Sequence, residues 1–380
     1  MKQICPDESC TGCGLCMVRC PKKCISMEEG ELGHLYPYIN QVECIDCGLC
    51  KKGCPSLHDM RCKYPSKAFA AWSIDHDDYF SSTSGGAASV FTNYFLSNGG
   101  VVYGCAVLPN IKIKHIRVDD LQDAYKFKGS KYVQSSIVDV LPEIKQDVNL
   151  GRKVLFIGTP CQVAAVKQMY KEWPENLYLI DIICHGVPSN KWLSDYITKN
   201  LGIDGSKVSM IKFRLPDAFS LSVYDKNELL YKSDNLWTHR YEDLYYNTFM
   251  DGFTYRKSCF ECHYAKPQRI SDITIGDFWG LGKEMNDKYI PEHNYGISCI
   301  LPITDKGTFL ISAVQDKFNL FERPVTESIN GNDQLRHPKK MDWRIRCFRK
   351  LCKYMSICFS YKMLMLDKIL KYKVKKLIKQ

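Results

Sequence analysis

What this sequence lacks narrows its class before any motif is read. None of its 380 residues sits in a run approaching the roughly 18 continuous apolar residues of a membrane span. The opening Met-Lys-Gln-Ile-Cys has no apolar core of a secretory signal, so a cytoplasmic location is expected. A cytosolic chain cannot rely on disulfides, which argues against a secreted disulfide scaffold as the source of its 20 cysteines. That many thiols under reducing conditions point to metal. No segment resembles a nucleic-acid recognition module, so nucleic acid is not an expected partner despite the net charge of +10. The rest of the composition is ordinary, with 45% hydrophobic and 25% charged residues. The length allows two or three domains and a sizeable core.

The positive charge is concentrated at one end. From Arg336 onward 15 Lys and Arg stand against 2 acidic residues, whereas the preceding residues hold 37 basic and 40 acidic and are nearly neutral. The segments WRIRCFRKLCKYMSICF and MLMLDKILKYKVKKLIK interleave basic and large apolar residues at helical spacing. Such a helix suits an anionic membrane surface, or packs on the body or on an acidic partner.

Residues 10–21 read CTGCGLCMVRCP and residues 44–55 read CIDCGLCKKGCP, an internal duplication of C-x2-C-x2-C-x3-C-P. Two-residue gaps let three thiolates curl around one cubic cluster, and the fourth cysteine, followed by proline, ligates the other cluster. Cys10, Cys13, Cys16 and Cys54 are therefore expected to hold one [4Fe–4S] cluster, and Cys44, Cys47, Cys50 and Cys20 a second. The pattern resembles a bacterial-type two-cluster ferredoxin. Paired C-x2-C motifs also bind zinc, but equal spacing and a Cys-Pro ending fit zinc poorly. Cys5, Cys24 and Cys62 fall outside the pattern and read as packing or surface thiols.

Past a short linker the chain changes character. Residues 67–74, 101–107, 153–157, 177–183 and 271–276 read as strands with helices between, the alternation of a parallel or mixed α/β sheet. SSTSGG at 81–86 opens a helix and offers bare amides to an anion such as a nucleotide phosphate, although such turns often serve geometry alone. KGSKYVQSS at 128–136 adds a cation, Lys131, and an aromatic, Tyr132, or is simply a solvated loop. Four more cysteines lie at turns: Cys161 in GTPC, Cys184 in DIICHGVPS, and Cys259 and Cys262 in CFEC. Cys161 alone reads equally as buried filler, as a nucleophile at a helix N-terminus, or as a ligand. Together the four make the number one cubic cluster needs, and strand ends on one edge of an α/β sheet converge.

GTPCQ, CHGVPS, CFEC and DITIGDFWG in this order, with SGG and GSKY upstream, resemble the family of coenzyme F420 hydrogenase/dehydrogenase beta subunits. The resemblance covers roughly residues 65–310, and a fused ferredoxin module is a familiar arrangement among such proteins. It implies an iron–sulfur flavoprotein in which FAD passes electrons between a cluster and a hydride partner. Relatives reduce substrates as different as a deazaflavin coenzyme and a chlorophyll intermediate, so the substrate is not fixed. On this basis Cys161, Cys184, Cys259 and Cys262 are expected to bind a third [4Fe–4S] cluster. Ser84, Gly85, Gly86, Gly129, Ser130, Lys131 and Tyr132 are expected to form the flavin pocket, with Lys131 offsetting negative charge on the ring or pyrophosphate. His185 is the candidate proton relay, although such a histidine often only braces a turn. Asp277 and Trp279 read as loop-shaping residues.

The expected architecture is mixed α+β and α/β. It has a ferredoxin domain at 1–62, a single beta-subunit-like domain made of a flavin-binding N-terminal part at 63–148 and a third-cluster C-terminal part at 149–318, and a basic helical tail at 319–380. Electrons would enter singly at the ferredoxin clusters, pass to the third cluster and collect on FAD, which converts them to hydride chemistry. The expected partners are a redox protein (a ferredoxin or an oxidoreductase subunit), a small-molecule hydride acceptor or donor such as coenzyme F420, and the inner face of an anionic membrane through the tail. The rival readings are an electron-transfer subunit with no substrate of its own, and a redox accessory of polysaccharide biosynthesis at the membrane.

Overall fold

A computed structural model of the protein describes residues 3–215, 218–293 and 295–379. In the first 60 residues each cysteine loop turns into a short helix, Leu15–Arg19 or Leu49–Lys52, through a glycine in the left-handed region, Gly14 (φ 73°) or Gly48 (φ 72°). An antiparallel ribbon of β1 (Ile25–Glu29) and β2 (Leu35–Ile39) packs beneath them. The two repeats share a backbone but not an environment. Leu15 is 1% exposed in an apolar cluster with residues of the body, whereas its counterpart Leu49 is 42% exposed. The first repeat is the docked one.

The glycines record the same asymmetry. A Cβ on Gly14 would stand 2.2 Å from Val138 Cγ2, while one on Gly48 would meet nothing within 4 Å. Both substitutions to alanine strain a positive φ by roughly 1–3 kcal/mol. Only Gly14→Ala adds overpacking at the seam, worth roughly a further 1–3 kcal/mol. Anaerobic urea unfolding is expected to show Gly14→Ala clearly less stable than Gly48→Ala. Equal losses would mean that the first repeat is not seated on the body.

The body is built on one mixed sheet of eight strands. In chain order its strands are β3 (Ala68–Ser73), β4 (Val101–Leu108), β5 (Lys112–Val118), β6 (Val154–Gly158) and β7 (Leu177–Ile182), and, beyond a small three-stranded sheet, β11 (Ile273–Asp277), β12 (Ser298–Pro302) and β13 (Phe318–Arg323). The small sheet comprises β8 (Met210–Lys212), β9 (Ser222–Asp225) and β10 (Glu228–Lys232). The order across the large sheet is β13-β3-β12-β11-β7-β6-β4-β5. The central run β4, β6, β7 and β11 is parallel, and its flanks are antiparallel. Central parallel strands are covered on both faces, which is why Val154, Leu155 and Phe156 and also Leu177, Leu179 and Ile180 are all 0% exposed.

The strands from residues 63–148 and 149–318 share this one sheet, with β3 on one side and β4 and β5 on the other of the four from the later part. Residues 318–323, which the sequence reading placed almost wholly in the tail, pair along β3 as its outer strand. The basic segment proper forms three helices, Trp343–Leu351, Ile357–Leu364 and Leu366–Lys379. The first two are anchored, with Phe348 and Tyr361 fully buried beside Phe253. Arg349 forks onto Glu31 of the cysteine-rich module, with both hydrogen bonds at 2.9 Å, and also donates to the Tyr255 carbonyl at 2.8 Å. Among the described residues no helix is long and apolar enough to cross a membrane.

Candidate metal centres

The eight cysteines of the duplicated motif form two groups. Cys16 is pushed up by burial and then by Cys13, Cys10 and Cys54, which places those four thiols around one point. Cys20, Cys44, Cys47 and Cys50 line a single cavity with Ile25 and Ile39. This crossed sharing, with the last cysteine of each repeat joining the other repeat's group, follows from the short helices bringing Cys20 and Cys54 back across the ribbon. Each group also has a fifth thiol at its edge. Cys24 Sγ lies 3.4 Å from Cys20 Sγ, and Cys5 hydrogen-bonds with Cys10 and Cys54. Both are buried, Cys5 at 7% and Cys24 at 6% exposure. Their spacing falls outside the motif, so only the folded ribbon reveals the proximity.

The second site lies at the carboxyl edge of the parallel strands. β6 ends at Gly158, and a capping box between Thr159 and Gln162 starts helix Pro160–Lys167 at once, which holds Cys161 in its first turn. β7 ends in register beside β6, with Gly158 opposite Asp181, so Cys184 emerges on the same edge. The CFEC pair is not at a strand end. It rides on a turn ahead of β11 that is tied back by Arg256 N donating to the Val187 carbonyl (3.1 Å). Below it, buried Arg269 donates to Asp181 (3.0 Å) and to the Tyr264 carbonyl (2.7 Å).

Burial pushes Cys161, Cys184 and Cys259 each up to about 12, and raises Cys262 as well. Their mutual repulsion adds to this: Cys184 and Cys262 act on Cys161, and Cys259 acts on Cys184. Four thiols in this position become thiolates only with a cation among them. The donor set therefore fits an iron–sulfur cluster and disfavours a lone nucleophile at Cys161, whose pKa moves the wrong way. Cys13 also acts on Cys161. Cys13, Leu15, Tyr264, Cys161 and Cys262 pack in one apolar cluster, so the inner group of the module faces this second site directly.

The residues expected to hold a flavin divide between two roles. The SGG turn and the GSKY loop do meet, since Ser130 N donates to Thr83 Oγ1 at 2.8 Å. Ser84 Oγ is buried with no partner, the kind of orphan a ligand would satisfy. Gly86 (φ 82°) caps helix Ala87–Ser97, while Gly85 is pressed against the sheet, where a Cβ would stand 2.1 Å from the Ala71 carbonyl oxygen. Gly129 supplies a positive φ of 81° to the neighbouring loop. Lys131 differs from the expectation. Its Nζ donates to the carbonyls of Lys126, Phe127 and Lys128 at 3.3, 3.0 and 3.0 Å, and burial pushes it down to about 8. Its charge is directed to a helix end rather than outward. Tyr132 is packed against Phe213 and Phe249.

His185 is exposed but crowded by protein, and that crowding lowers its pKa against the opposing pull of Asp277 and Asp333. Asp277 pairs with Arg214 at 2.9 Å, and Arg214 stacks on Phe219, which leans on Trp279. Sequence reading missed Arg214, because no motif marks it.

Residues 151–328 match the family model for the C terminus of the coenzyme F420 hydrogenase/dehydrogenase beta subunit, and residues 9–57 match the 4Fe-4S dicluster domain. No curated protein matches the chain. Among solved structures, a chain of the F420-reducing [NiFe] hydrogenase complex from Methanosarcina barkeri is similar at 18% identity, covering 72% of this chain and 91% of that chain with a TM-score of 0.44.

Proposed function

We propose that this chain, whose residues 151–328 belong to the family defined by the C terminus of coenzyme F420 hydrogenase/dehydrogenase beta subunits and whose residues 9–57 form a 4Fe-4S dicluster domain, is an iron–sulfur flavoprotein oxidoreductase. It moves electrons between the dicluster module and FAD for two-electron reduction or oxidation of a coenzyme F420-like or other organic substrate. One observation carries the reading. The thiols run from exposed Cys47, through inner Cys13, to the partly buried set at Cys161, with Cys13 close enough to act on Cys161 and Tyr264 close to both.

In this reading Cys20, Cys44, Cys47 and Cys50 hold the outer cluster and Cys10, Cys13, Cys16 and Cys54 the inner one. Cys161, Cys184, Cys259 and Cys262 hold a third [4Fe–4S] cluster. A redox partner protein meets the outer end, where Ile45 (58% exposed) lines the cavity with Cys47 and Val42 (95%) lies in the same exposed loop. When bound, FAD supplies the conversion between single electrons and hydride. Ser84 Oγ and the turn at Gly86 would hold it, with Arg214 and Asp277 close by, since a Cβ on Gly296 would meet both Ser84 and Arg214. His185, kept neutral near pH 7 by its lowered pKa, holds a lone pair ready for a proton.

Protein purified without air is expected to release about one equivalent of FAD per chain on denaturation. If no flavin is found after reconstitution, the rival reading stands: an electron-transfer subunit with no substrate of its own.

A second reading concerns location. In helix Leu366–Lys379, Ile369, Tyr372 and Lys376 face the body, with Tyr372 Oη donating to the Thr238 carbonyl and Lys376 paired to Glu242. The opposite face exposes Leu366, Leu370, Val374 and Leu377, continuing from Met363, with lysines on both flanks. An apolar stripe between lysines suits the anionic inner surface of a membrane. A cytoplasmic redox accessory of polysaccharide biosynthesis would work there.

A further inference from the structure

Arg256 is 1% exposed, and among the described residues no carboxylate pairs with it. Its Nε donates to the Cys10 carbonyl at 2.6 Å, while Nη2 donates to the Leu35 carbonyl at 2.8 Å and to Cys10 Sγ at 3.4 Å. Nη1 reaches Gln134 Oε1 at 3.4 Å, and the guanidinium lies over the Tyr36 ring, 4.2 Å from its centroid. The acids nearby are engaged elsewhere, Glu8 with Lys257 and Glu31 with Lys257 and Arg349. A cation this deep calls for an anion, and the group it touches is the inner set of thiols.

The duplication supplies an internal comparison. Arg256 packs on Gly12, where a Cβ would stand 2.7 Å from Nη1. The matching position of the second repeat is Asp46, with the same left-handed backbone (φ 54° against 67°) and an exposed side chain. One loop therefore receives a buried guanidinium from the body, and its twin has an exposed aspartate at the matching position.

We infer that Arg256 is the counter-charge of the inner cluster and sets the direction of electron flow within the module. The inference rests on the two-cluster reading of the eight cysteines. A four-thiolate cluster is an anion that gains one further negative charge on reduction, so a buried cation favours its reduced form and an adjacent carboxylate opposes it. The inner cluster then has the higher reduction potential. One electron leaves the outer cluster, oxidising it by one, and reduces the inner cluster by one, with no bond or proton moved. The same charge acts on Cys259, so Arg256 also sits on the onward side of the inner cluster.

The test is an anaerobic redox titration of the full chain followed by electron paramagnetic resonance, with Cys47→Ser identifying the outer cluster. Arg256→Gln is expected to lower the inner potential enough to change the one-electron equilibrium between the clusters at least tenfold, about 59 mV. Arg256→Lys should recover much of that shift, and Asp46→Asn should raise the outer potential by less, because the site is exposed. An Arg256→Gln protein with full iron and both potentials unmoved would overturn the inference. If that variant loses the inner cluster, the native and Arg256→Lys proteins decide, and an inner potential no higher than the outer one in both would overturn it. A native chain holding fewer than about eight irons would instead defeat the two-cluster reading.

Discussion

Cys161→Ser is expected to remove about four irons per chain while leaving both ferredoxin-type clusters reducible, and the native chain is expected to hold about 12 irons rather than about 8. The reason is electrostatic. Cys161, Cys184 and Cys259 are each raised to about 12, and burial is the first cause in all three. Metal-free, the four thiols would remain protonated and inert. A cluster reverses this, because its irons supply the positive charge that thiolates need. Serine at 161 withdraws one of four thiolates from a site whose other positions are set by the end of β7 and by the turn tied to Val187. The module clusters lie in separate cysteine sets and survive. Iron and sulfide analysis with electron paramagnetic resonance reads both effects. Native protein that stays near eight irons after anaerobic reconstitution would remove the third cluster and return Cys161 to a structural role.

Replacing Lys368, Lys371, Lys373 and Lys375 by glutamine is expected to abolish flotation with anionic vesicles while leaving the fold intact. At about 1 kcal/mol for each lysine near an anionic surface, the loss is about 4 kcal/mol, close to a thousandfold in partition. Substitution is preferable to truncating the whole basic segment. Helices Trp343–Leu351 and Ile357–Leu364 hold Phe348 and Tyr361 in the core and Arg349 on Glu31, so removing them would open the body. Neutral vesicles serve as the control. Equal flotation of native and substituted chains would rule out the membrane reading, and concentration-dependent dimers of the native chain would give the apolar stripe to a second copy.

Parts of this architecture are legible in local pattern. The strands at 67–74, 101–107, 153–157, 177–183 and 271–276 fall within a residue or two of β3, β4, β6, β7 and β11, because strands covered on both faces are nearly continuous apolar runs. Residues 318–323 were not legible. Phe-Asn-Leu-Phe-Glu-Arg forms an edge strand whose partner, β3, lies some 250 residues earlier. The partners of Lys131 were hidden for a similar reason. As a sequence it is a free cation in a loop, and only the path of the preceding turn shows its Nζ satisfying three carbonyls.

The duplicated cysteine motif is settled by spacing, since cluster ligation within one loop is a short-range geometric demand that a few residues meet alone. The gathering of Cys161, Cys184 and the CFEC pair is suggested by strand-end position but achieved only by the register of β6 against β7 and by a turn tied to Val187. Which of the two repeated loops faces the body is not marked by the cysteine motif they share. Leu15 and Leu49 are the same residue in the same loop, and Arg256 reaches Cys10 across 246 positions of chain. Packing and buried charge belong to the surroundings of a residue rather than to its neighbours in sequence, so which repeat meets Arg256 is decided only once the chain has folded.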